Sequence, residues 1–196
     1  MTRKMILAVS LASVIAASMV GIQLVNAFMS GAPAYVVANT GSAVAQNGNM
    51  VKLSVTANAP IQRFASDPYY QSQAVVGFGW ANLDTGKAFV TTIHPAIGRD
   101  SNQNPSAWHA HTASLTPIGT VPDDGFCLKS IDSTPEAGIQ IQGSTMNVNA
   151  RASDVPFNPQ TVTNLAVVGF TVVSHPGCGP VANTPFNDLA VQVNTP

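Results

Sequence analysis

Residues 139–149 carry the pattern that most restricts this chain. Ile139, Ile141, Met146 and Val148 alternate with Gln140, Gln142, Asn147 and Asn149 around the dipeptide Gly143-Ser144. Successive side chains of a strand point to opposite faces, so each arm has one apolar and one wet side. A two-residue turn with Gly first matches the twist of paired strands. The segment therefore reads as an antiparallel hairpin laid on a core. The same pattern recurs at Val76, Phe78 and Trp80, which share a face opposite Gly77 and Gly79. Turn residues at 82–87 and an apolar return at 88–94 complete a second hairpin. Further apolar runs stand at 108–115, 126–131, 165–174 and 189–193, separated by segments bearing Pro or Gly. No amphipathic helix follows the first 27 residues. The expected fold is all-β: an antiparallel β-sandwich, or a partly closed barrel, of about 8–10 short strands.

The N-terminus reads as an address. Met1-Thr2-Arg3-Lys4 is basic, residues 5–25 carry no charge, and Val25-Asn26-Ala27 ends on the small residues a signal peptidase accepts. Residues 1–27 are thus expected to be a signal peptide. The apolar run is also long enough to span a bilayer, and an uncleaved leader would be the chain's one membrane contact. Residues 28–50 are small and polar and are expected to be a flexible tether with one short strand at 34–38. Asn47-Gly48 then turns the chain into Val51-Lys52-Leu53-Ser54-Val55, the start of a single β-domain at 51–196. The expected location is secreted, at the cell surface or in the envelope.

Charge excludes some partners. Without the leader, six basic residues face nine acidic ones, a net charge of −3. Such a body has no electrostatic footprint for nucleic acid or an anionic membrane. Its surface must be built from Asn, Gln, Ser and Thr, which leaves cell-envelope components or copies of itself as expected partners. Cys127 and Cys178 stand 51 residues apart without a C-x-x-C spacing, so in an exported chain they are expected to form one structural disulfide.

Chemistry concentrates at Trp108-His109-Ala110-His111-Thr112. On a strand, the imidazoles of His109 and His111 project to the same side. His94 closes the preceding strand, across a polar loop holding Asp100, Asn102 and Asn104. If the two strands pair, His94 joins the other two, and three imidazoles with an open position suit Zn²⁺ or Cu²⁺. Asp100 is a candidate second ligand-orienting group beside that ion. The strand register decides whether the three face one another.

Other signatures are missing. There is no Gly-x-Ser-x-Gly elbow, phosphate loop or His-Glu-x-x-His pattern. Asp123-Asp124 lies in a Pro-Asp-Asp-Gly turn, where adjacent carboxylates point apart. Ser174-His175-Pro176-Gly177-Cys178 resembles the His-Pro-Gly stretch of cupredoxin copper loops over three residues. That family's cysteine would fall on Val172 and its methionine on Cys178, so a blue-copper site is not implied. His-x-His on a β-sandwich also resembles copper/zinc superoxide dismutases, but their glycine-framed surroundings and later ligand spacings are absent.

Three functions fit these residues. The first is an exported structural or binding protein without catalysis. The second is a copper- or zinc-binding exported protein, an oxidoreductase among its options, using His94, His109 and His111. The third is a carbohydrate-binding module in which Trp80, Trp108, Tyr69 and Tyr70 stack on sugars.

Overall fold

The computed structural model describes residues 32–63, 75–94, 107–118 and 125–194. The expected leader at 1–27, Asp100, Tyr69 and Tyr70 lie outside the described residues. Among the described residues, ten strands follow a 3-10 turn at Ala34–Val36. They are β1 (Ala38–Gln46), β2 (Met50–Ala57), β3 (Val75–Asn82), β4 (Lys87–Ile93) and β5 (His109–Pro117), then β6 (Phe126–Ser133), β7 (Gly138–Gln142), β8 (Thr145–Arg151), β9 (Leu165–Ser174) and β10 (Leu189–Asn194).

The strands form two layers, both antiparallel. One is a four-stranded sheet in the order β1-β2-β8-β7, and the other is a closed six-stranded barrel, β10-β6-β5-β4-β3-β9. The all-β expectation holds, and the barrel alternative is realised with full closure. Period-two patterning explains how the layers meet. Val76, Phe78 and Trp80 of β3, Phe89 of β4 and Val167 of β9 pack against Val51, Leu53 and Val55 of β2 and Met146 and Val148 of β8. The opposite face of the barrel strands, with Ala81, Ala88, Ala113, Leu115, Leu128, Val168 and Phe170, forms a separate cluster inside the barrel.

Trp80 joins the layers. Its ring is fully buried, and its Nε1–H donates to the Ser42 carbonyl oxygen at 3.0 Å across the interface. Trp108 is buried too, stacked on Phe78 with ring centroids 5.6 Å apart, its Nε1–H donating to the Gln62 carbonyl oxygen at 2.6 Å. Neither tryptophan is therefore a platform for sugar stacking, since each face is covered by protein.

The stretch expected as a flexible tether is corrected in part. Ala38–Gln46 is a nine-residue edge strand, paired with β2 from Ala38↔Ala57 to Gln46↔Met50. The short strand expected at 34–38 is replaced by the 3-10 turn, whose Tyr35 and Val36 are buried. Small polar residues on an edge strand with one solvated face look like linker in composition, and the pairing comes from the neighbouring strand.

Where this N-terminal segment crosses the barrel, Gly169 of β9 lies beneath the Val36 carbonyl. A Cβ at Gly169 would stand 1.8 Å from that oxygen, a backbone atom that cannot swing aside as a side chain could. Gly169→Ala is expected to destabilise the fold by about 1–3 kcal/mol or more through overpacking, read by urea denaturation. A change below about 0.5 kcal/mol would show that β9 and Val36 do not pack this closely.

Cys127 of β6 and Cys178 are joined by a disulfide. It sits at the barrel seam with the fewest pairs among the described residues, where β6 and β10 share Ala190↔Cys127 and Val191↔Phe126. On the barrel's outer face, Lys87 and Asp132 form a salt bridge at 3.0 Å. Burial pushes the Asp132 carboxyl up, but hydrogen bonds from Ser130, Ser114 and Lys87, with the Lys87 charge, outweigh it and hold the group below its usual 3.8.

Candidate metal centre

Register answers the question left open by the sequence. In the β4–β5 ladder, Thr92 pairs with His109 and Val90 with His111. Even-numbered residues of β4 therefore share a face with odd-numbered residues of β5. His94, one step past the end of β4, follows the parity of Thr92 and Val90. The face they share is the inside of the barrel, because Val90, Thr92, His94 and His111 line the same internal cavity. The three histidines stand together at one end of the lumen.

All three side chains are buried, and one nitrogen from each lies within 4.8 Å of the others. His109 is the hub. Its ring centroid is 4.7 Å from that of His94 and 4.8 Å from that of His111, edge-on to both. The rings of His94 and His111 lie 6.2 Å apart and nearly parallel.

Hydrogen bonds orient the rings. His109 Nδ1 is 3.0 Å from the Ala107 carbonyl oxygen. A carbonyl can only accept, so Nδ1 carries the proton and the lone pair of the neutral ring sits on Nε2. That atom is 2.9 Å from His94 Nε2 and 3.4 Å from the Thr92 hydroxyl. In neutral rings, His94 Nε2–H donates to it. His111 Nδ1 is hydrogen-bonded to the Thr134 hydroxyl at 3.2 Å. Such partners on the far nitrogen fix ring orientation where imidazoles bind metals.

Distances decide whether an ion fits. In a tetrahedral site with bonds of about 2.0–2.1 Å, ligand nitrogens lie about 3.3 Å apart. The observed spacings, from 2.9 Å to within 4.8 Å, bracket that value. Side-chain adjustments of little more than an ångström would bring three nitrogens onto one centre. Imidazole suits zinc and copper among biological ions. The protein's two cysteines are tied up in the disulfide, so the site has no thiolate.

The remaining candidates fall elsewhere. His175 lies beside the disulfide, its Nδ1 3.8 Å from Cys178 Sγ, and is not part of the cluster. Thr92, Thr134 and the Ala107 carbonyl are ring-orienting groups that sequence reasoning missed. Thr92 could have been found from the parity of β4. Thr134 could not, because two register shifts interrupt the β5–β6 ladder that brings it near. Comparison of the chain with protein-family models, curated proteins and solved structures finds no match, so the site stands on its own geometry.

Proposed function

We propose that this is an exported metal-binding protein whose His94, His109 and His111 hold one copper or zinc ion. The carrying observation is the convergence of three buried imidazoles within 4.8 Å at one end of the barrel lumen. Three neutral ligands leave the ion its full charge and an open coordination position. Zinc there would acidify a bound water, and copper would bring one-electron chemistry and so an oxidoreductase option. The disulfide supports the exported setting, since such bonds persist in oxidising compartments. Cell-envelope partners or self-association would use the four-stranded sheet, whose outer strands β1 and β7 each have one edge without a strand partner among the described residues.

The test is elemental analysis of the purified chain, stripped with chelator, exposed separately to Zn²⁺ and Cu²⁺, and desalted. One ion per chain is expected, with retention lost in acid because the ion needs neutral imidazoles. A chain that emerges metal-free from both ions overturns the proposal.

A further inference from the structure

The barrel has unfilled space behind the histidines. Interiors normally pack to crystal-like density, and even an eight-stranded barrel is just wide enough for side chains to fill. This barrel has six strands, yet its lumen holds a partly open cavity of about 150 Å³. The residues explain why. Ala166 of β9 pairs with Ala81 of β3, Ala81 with Ala88 of β4, and Ala88 with Ala113 of β5. All four line the cavity, so a belt of single methyl groups runs around four adjacent strands at one level. Gly79, one step along β3 on the same face, has no side chain at all, although a Cβ there would meet its nearest neighbours at an unstrained 3.5 Å and 3.7 Å. Larger residues at these positions would fill the lumen.

The remaining walls are mostly aliphatic and aromatic, with Asn183 and Thr184 polar beside Phe186. His94, His111 and Thr92 gather at the metal end of the cavity. Phe186 and Leu189, both half-buried, line it beside the two-pair seam between β6 and β10. The chamber therefore has an apolar body, one coordinating end and a thinly paired side wall.

We infer that the lumen binds a small uncharged molecule of about benzene's size, with an apolar body among the alanines and one donor atom directed at the histidine-held ion. The apolar part rests on the cavity, and the donor part rests on the metal reading above. A core cavity of about 150 Å³ in another protein stays dry and takes up benzene or xenon, which sets the scale of the occupant.

Benzene and pyridine, equal in shape and differing by one donor nitrogen, separate the two parts. Calorimetry and ligand-observed NMR on the full chain are expected to show saturable benzene binding with or without metal. A His109→Ala variant, whose side chain does not line the cavity, is expected to keep benzene binding while losing the ion. An Ala113→Leu variant should keep the ion but bind benzene at least about tenfold more weakly. Gly79→Ala, which adds one methyl at ordinary contact distances, is the milder filling variant should Ala113→Leu not fold. On Co²⁺-loaded protein, pyridine is expected to shift the visible spectrum, and benzene to reverse that shift by competing for the lumen. Absence of saturable benzene binding in folded, metal-retaining protein overturns the cavity proposal. Pyridine that shifts the spectrum without competition from benzene overturns the shared chamber. Failure of metal retention with benzene still bound instead overturns the metal reading and leaves the apolar site standing.

Discussion

A His109→Ala chain exposed to Zn²⁺ is expected to emerge without the ion and to gain no stability from it. The natural chain should gain about 4 kcal/mol when free ion is about a thousandfold above its dissociation constant, because binding is confined to the folded state. His109 is chosen because its ring lies against both of the others, and its Nε2 lone pair is fixed by the hydrogen bond to Ala107. In the metal-free protein that lone pair accepts from His94, and an ion would take the same electrons. Removing the ring in the metal-free state loses that bond, worth about 0.5–1.5 kcal/mol, along with some packing. The two chains should thus differ modestly in chelator and widely in zinc. Urea denaturation with and without Zn²⁺ measures both gaps. An equal zinc response in the two chains would mean that His109 is not a ligand.

The second large effect concerns the disulfide. Replacing Cys127 and Cys178 together by alanine is expected to cost about 4 kcal/mol, the loop-closure entropy for a 51-residue separation. The bond also borders the seam of two residue pairs between β6 and β10, so the loss falls where the barrel has least backbone pairing to spare. Denaturation of the oxidised natural chain against the double variant reads the difference. A midpoint unchanged within error would show that the seam is held by the packing of Val181, Phe126 and Val191 rather than by the bond. Reduction of the natural chain should reproduce the variant's behaviour, which separates loss of the cross-link from loss of the sulfur atoms.

Strand identity was plain wherever one face was apolar. The alternation at Ile139–Val148 and at Val76–Trp80 named β7, β8 and β3, and the apolar run at 165–174 gave β9 with its observed ends. The strand that escaped was β1, whose exposed side chains apart from Val44 are polar or small and whose burial pattern has little periodicity. Its turn was visible, since Asn47-Gly48 implies two arms, yet the first arm reads as linker by composition. Closure was harder to foresee. The choice between an open sandwich and a barrel depends on which distant strands pair, and alternation within a strand carries no record of its partner. The histidine trio was half legible. The shared face of His109 and His111 follows from period two, but His94 needed a register, and burial of all three needed the barrel.

Chain order gives the interleaved layers one more consequence. The four sheet strands are complete by Arg151, whereas the barrel waits for β9 and β10 at the C-terminus. Asn82 must find Leu165, and Val75 must find Val172, across all of β4 to β8. Contacts between residues so far apart in sequence are slow to form, so ring closure is expected to be the late and rate-limiting event of folding. β4 and β5 are already adjacent within a local meander, so the three imidazoles can assemble while the ring is still open. A chain ending before Leu189 would expose the flanks of β6 and β9 together, and two bare strand edges on one molecule are a template for polymerisation.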